Sequence, residues 1–135
     1  MAQKADQTLK LFAPKSYWSA PPDVVDAVTG GCGPGGFGDW LIPDTVWGLS
    51  VKPACRIHDW MYHVGADILD KEEADRTFAN NMIRIIRAKT RLKILRLLRF
   101  RRARTYYWFV KEFGGPAFWD QKNAPEEFRE VTSGV

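Results

Sequence analysis

The stretch Cys55-Arg56-Ile57-His58-Asp59-Trp60-Met61-Tyr62 puts a thiol, an imidazole, a carboxylate and a phenol close together in the chain. On an α-helix turning about 100° per residue, Cys55, His58, Asp59 and Tyr62 fall within one arc of roughly 100°. A helix that served only to pack would carry Leu or Ile at most of those positions, so this face reads as chemistry. Several chemistries compete for it. A metal-dependent phosphohydrolase with an adjacent His-Asp pair needs further histidines. The only other one, His63, lies about 140° round the helix, so that cluster cannot be completed. A zinc site fails for the same shortage of ligands. Cys55, one turn from His58, could be a nucleophile. Yet two side chains on one helix tend to point alongside each other, and Cys32 offers a competing disulfide.

The elements that must position these residues are legible in outline. Pro22 or Asp23 through Val28 reads as a short helix, with proline in its first turn and Gly30-Gly31 ending it. The stretch Gly30-Gly31-Cys32-Gly33-Pro34-Gly35-Gly36-Phe37-Gly38 then holds six of the chain's eleven glycines. Such a run means backbone conformations or close approaches that side chains would forbid, and in isolation it reads as a flexible surface loop. It is not a G-x-G-x-x-G phosphate fingerprint, because no strand precedes it and no helix opens from it. Residues 39–52 form an aromatic loop with Trp40, Leu41, Ile42 and Trp47. Ser50 as a cap, Pro53 in the first turn and Gly65 at the C′ position then predict a helix over 52–64.

A second helix is predicted from near Asp70, where Asp70 and Glu73 have the spacing of a capping box. Its apolar face reads Ala74, Phe78, Met82, Ile85 and Ile86, and Asp75 lies on that same face. A buried carboxylate is costly unless something pairs with it; Arg56 or another cation is the structural candidate. Helix continues beyond Arg84, broken near Lys89-Thr90 or Ala103, with Leu92, Leu95, Leu98 and Val110 as a partly buried stripe. Tyr106-Tyr107-Trp108-Phe109 and Phe118-Trp119 supply aromatic surface, and the tail after Asp120 is polar and peripheral. These elements describe an all-α protein, with residues 1–135 as a single domain.

Taken together, Cys32-Gly33-Pro34-Gly35-Gly36-Phe37-Gly38 and Cys55-Arg56-Ile57-His58-Asp59-Trp60-Met61-Tyr62 resemble the phospholipase A2 superfamily. Its calcium loop reads C-G-x-G-G-x-G and its catalytic helix C-x-x-H-D-x-x-Y. Ala74-Asp75-Arg76 looks like the A-D-R setting of the aspartate on that family's second catalytic helix. The ordered set covers roughly residues 30–87. The resemblance implies two packed antiparallel catalytic helices, a glycine-rich calcium loop and, in this chain, an added basic helical segment over about 84–110. It further implies calcium-dependent hydrolysis of the sn-2 acyl ester of phospholipids. Calcium would be held by the carbonyls of Gly31, Gly33 and Gly35 and by the Asp59 carboxylate, the oxygen donors a hard cation prefers. His58 would activate water, Asp75 would hold its other ring nitrogen, and Tyr62 would hydrogen-bond to Asp75. The oxyanion would be stabilised by calcium and the Gly33 N–H. A Cys32–Cys55 disulfide would close a loop of about 24 residues and contribute roughly 3 kcal/mol.

The chain also departs from the secreted members. The Cys32–Cys55 spacing is longer, the connection between the two helices is short, only one disulfide is available, and Gly31 stands where an aromatic residue is common. These features look more like the reduced versions of microbial and viral proteins.

Charge adds a second theme. Arg84, Arg87, Lys89, Arg91, Lys93, Arg96, Arg99, Arg101, Arg102 and Arg104 follow one another with no acid between them. Twenty basic residues less these ten leaves ten against sixteen acidic ones, a balance of −6 for the rest of the chain. A basic element on an acidic body predicts an anionic partner, either a phospholipid membrane surface or nucleic acid. The alternative to a hydrolase is thus an idle binding or structural module whose basic segment binds nucleic acid or another anionic partner. The basic positions recur nearly every third residue and therefore wind round a helix without marking one face. No apolar run approaches the roughly 20 residues of a membrane span. No signal peptide is read at the start, while a disulfide would favour an extracellular or particle-associated setting.

Overall fold

The computed structural model describes residues 10–29 and 43–119. The glycine stretch with Gly31, Cys32, Gly33 and Gly35, the aromatic positions Trp40–Ile42 and the polar tail all lie outside these residues. The described chain is helical apart from one small hairpin: α1 Lys15–Ser19, α2 Pro22–Val28, β1 Thr45–Val46, β2 Leu49–Ser50, α3 Lys52–Val64, α4 Ile68–Lys89, α5 Lys93–Phe113 and α6 Gly115–Trp119. The short helix α1 precedes the first helix that the sequence predicts.

The aromatic loop ends in a hairpin that pairs Thr45 with Ser50 and Val46 with Leu49. Its turn residues Trp47 and Gly48 both have positive φ, as a two-residue type I′ connection requires. The turn leaves Trp47 51% exposed and Val46 fully buried. Ser50 acts one position earlier than expected. Val51 is the N-cap of α3, and the Ser50 hydroxyl accepts from the Lys52 backbone N–H at 3.3 Å.

α3 ends at Gly65, whose backbone is extended at φ −68° and not left-handed, so the expected C′ role does not apply. The position is closed sterically instead: a Cβ there would lie 2.7 Å from the Phe118 ring and 2.9 Å from the Met61 carbonyl. α4 starts earlier than predicted. Its N-cap is Asp67, whose side chain accepts from Asp70 N, while the Asp70 carboxylate accepts from the backbone of Ala66 and Asp67. Asp70 is therefore the far member of the capping box, because Asp67 is the residue with extended backbone.

α4 buries Lys71, Ala74, Asp75, Phe78, Asn81, Met82, Ile85 and Ile86, spaced at the three- and four-residue steps of one helix face. That face packs against α3 on one side and α5 on the other. Val46, Val51, Cys55, Phe78, Met82, Ile86 and Val110 fill the main core, and Tyr62, Ala74, Phe118 and Trp119 form a second cluster at its end. Asn81, completely buried, clamps the N-terminal segment by accepting from Phe12 N at 2.7 Å and donating to Phe12 O at 2.8 Å.

The break between α4 and α5 falls at Thr90, and α5 runs unbroken through Ala103, which is buried. Thr90 is extended, so the helix cannot continue through it. Arg96 donates to the Thr90 carbonyl and Arg99 to its hydroxyl, replacing bonds lost at the helix end. Arg99 also donates to the Trp47 carbonyl, and Arg84 to that of Lys10. Three of the ten clustered cations therefore hydrogen-bond the chain itself, and Arg102 lies over the Trp47 ring, 5.6 Å from its centroid. Arg102 and the remaining six are exposed.

Candidate active site

α3 and α4 bring His58, Tyr62 and Asp75 together. His58 Nε2 lies 2.8 Å from Asp75 Oδ1, and the Tyr62 hydroxyl donates to the same oxygen at 2.7 Å. All three are buried. The spacing explains the convergence. His58 and Tyr62 are one turn apart on α3, and the connection at 65–67 turns α4 back so that Asp75 faces both. The imidazole sits between two rings, with centroids 4.2 Å from Tyr62 and 4.7 Å from Phe78.

Of the cations that could pair with Asp75, Arg56 goes to Asp26 of α2 instead. The cation at Asp75 is Lys71, whose Nζ donates to Oδ2 at 2.8 Å. Its other contacts are the carbonyls of Val110 at 3.1 Å and Lys111 at 3.3 Å. Sequence reasoning passed over Lys71, although its position four residues before Asp75 was a usable signal. A second missed residue is Gly114, where a Cβ would lie 2.5 Å from the Tyr62 hydroxyl. Its role depends on α6 folding back over α3, for which no local pattern exists. Phe118 completes that wall, edge-on to Tyr62 with centroids 5.2 Å apart.

The electrostatics follow from burial and these bonds. Burial lowers the His58 pKa, and the hydrogen bond and charge of Asp75 only partly oppose it, so the ring is neutral at physiological pH. Burial alone would raise Asp75; the hydrogen bonds from His58, Lys71 and Tyr62 outweigh it and leave the carboxyl below its ordinary range. Tyr62 is driven far above the usual phenol value, first by burial and then by the charges of Asp75 and Asp59. It therefore keeps its proton and donates it to Asp75. With Asp75 ionised, the Nε2···Oδ1 contact places the ring proton on Nε2 and the lone pair on Nδ1. The cluster can therefore accept a proton at Nδ1 and stabilise the imidazolium that results.

Asp59 follows His58 on α3 and is 6% exposed. A buried carboxylate beside a neutral base is a hard oxygen donor, which suits calcium better than a soft or borderline ion. Among the described residues, no three His, Cys, Asp or Glu side chains gather to hold a metal. Asp59 would thus be one ligand among backbone carbonyls, and the expected ones, Gly31, Gly33 and Gly35, lie outside the described residues. Cys55 is fully buried in the main core, and no free thiol occurs among the described residues. Its expected partner Cys32 is also outside them. His63 is exposed and takes no part.

Compared with family models, with curated proteins and with solved structures, the chain finds no match in any of the three. The functional reading is carried by the residues themselves. No helix among the described residues is long and apolar enough to cross a membrane.

Proposed function

We propose that the chain is a calcium-dependent, phospholipase A2-like hydrolase that cleaves the sn-2 acyl ester of phospholipids. The observation that carries the reading is the buried pairing of His58 Nε2 with Asp75 Oδ1, shared by Tyr62. A neutral imidazole whose proton is fixed on one nitrogen carries on the other the lone pair that can deprotonate water. His58 Nδ1 takes that proton as the water attacks the ester carbonyl, and Asp75 balances the imidazolium. Nδ1 then returns the proton to the departing alkoxide. Asp59, with the carbonyls of Gly31, Gly33 and Gly35, would hold calcium. When bound, the ion supplies positive charge where the carbonyl oxygen becomes negative. The Gly33 N–H would be the matching donor from the chain, and a Cys32–Cys55 disulfide would tie the loop to α3.

A phospholipid surface is the partner that fits this activity. Exposed Ile94, Leu97 and Trp108 on α5 stand among exposed Lys93, Arg101 and Arg104, a combination suited to an anionic bilayer. The proposed disulfide favours an extracellular or particle-associated site of action. The same exposed cations support a second reading, an idle module that binds nucleic acid.

The test is hydrolysis of mixed anionic phospholipid vesicles with calcium and with chelator. Fatty acid release is expected only with calcium, to be lost in His58→Gln and Asp59→Asn. Release that persists in chelator or in His58→Gln overturns the mechanism. Salt-sensitive DNA binding without any hydrolysis favours the second reading.

A further inference from the structure

We propose that Lys71 is a positioning residue for the His58–Asp75 pair, an inference that rests on the hydrolase reading: its ammonium takes one oxygen of Asp75, so that the other is held towards His58 and the pair stays poised to accept a proton. The geometry divides the carboxylate cleanly. Oδ1 receives His58 and Tyr62, and Oδ2 receives Lys71 at 2.8 Å. A carboxylate held at both oxygens cannot turn about its own bond without breaking a charge-assisted contact.

Lys71 is itself fixed. An ammonium has three protons, and three acceptors surround this one: Asp75 Oδ2 and the carbonyls of Val110 and Lys111. Those carbonyls belong to the last turn of α5, where the helix dipole also favours a cation. Lys71 thereby joins the end of the basic helix to the carboxylate that orients the base.

The test reads the geometry of the pair at one fixed pH in the full chain, wild type against Lys71→Met, Lys71→Gln and Lys71→Arg. The NMR signals of the His58 ring nitrogens and of the Nε2 proton report the hydrogen bond to Asp75 and the tautomer it fixes. In Met and Gln the Nε2 proton signal is expected to shift or broaden away and kcat on anionic vesicles to fall about tenfold with KM unchanged, while Arg restores both. Should Met fail to fold, Gln decides. A folded Met or Gln variant with wild-type ring signals overturns the proposal, because a lysine that only packs would leave the His58–Asp75 hydrogen bond as it is. The two readings separate cleanly. Changed ring signals in a protein that hydrolyses nothing remove the hydrolase and leave the positioning role of Lys71. Hydrolysis with unchanged ring signals does the reverse.

Discussion

Replacing Asp75 with Asn keeps the shape of the side chain, removes its charge and turns one of its two acceptor oxygens into a donor. Three donors converge on that carboxylate within 2.7–2.8 Å: the His58 ring, the Tyr62 hydroxyl and the Lys71 ammonium. At 2.8 Å and an effective dielectric constant of 20, the Lys71–Asp75 attraction alone is about 6 kcal/mol before desolvation is subtracted. Leaving a buried charge without its counter-ion costs a net of about 3–5 kcal/mol. The low end applies here, since Lys71 keeps the Val110 and Lys111 carbonyls. The measurement is urea unfolding followed by tryptophan fluorescence from pH 3 to pH 8. The folded pKa of Asp75 lies below its ordinary 3.8, so its contribution is fully present above that value and is lost as pH falls through the lower folded one. The folded pKa of His58 lies below 6.5, so the unfolded chain takes up protons first and stability also declines from about 6.5 downward. Asp75→Asn should remove the acid step below 3.8 and lower the whole curve at pH 7. Hydrolysis should fall between about a hundredfold and ten-thousandfold, because the imidazolium loses its counter-charge. A variant within about 0.5 kcal/mol of wild type at pH 7, with the same acid step, would refute the account of this carboxylate.

Two further substitutions test how the site is walled and anchored. Gly114→Ala places a methyl 2.5 Å from both the Tyr62 hydroxyl and the Val110 carbonyl, a crowding expected to cost about 1–3 kcal/mol in urea unfolding. Adding Tyr62→Phe should relieve part of that loss, and strictly additive effects would show that the hydroxyl is not what the methyl meets. Asn81→Ala breaks both bonds to the Phe12 backbone and is expected to cost about 1–3 kcal/mol, with faster amide exchange at Phe12. Unchanged exchange there would mean that the segment is held by something other than Asn81.

The polar face of α3 was legible because it is local. Cys55, His58, Asp59 and Tyr62 share a face by helical spacing alone, and proline and glycine mark the helix ends. The capping of α4 was read three residues late, since Asp67-x-x-Asp70 and Asp70-x-x-Glu73 offer the same spacing and only the backbone angle of Asp67 separates them. Asp75 on an apolar face signalled that a partner existed. Which partner it was depended on packing: Arg56 was drawn off by Asp26 of α2, and Lys71 turned inward because the last carbonyls of α5 stood ready to receive it.

The basic run shows the same division. Its charge is a property of the sequence, whereas the break at Thr90 and not at Ala103 was decided by the structure. That Arg84, Arg96 and Arg99 bind backbone carbonyls, while Lys93, Arg101 and Arg104 face outward among Ile94, Leu97 and Trp108, is a property of the fold. By itself the sequence determined the residue types on each helix face, because helical periodicity acts within a few residues. Only the tertiary structure decided which buried charge met which counter-charge, because that choice is made between segments tens of residues apart, by whichever pairing leaves no charge buried alone.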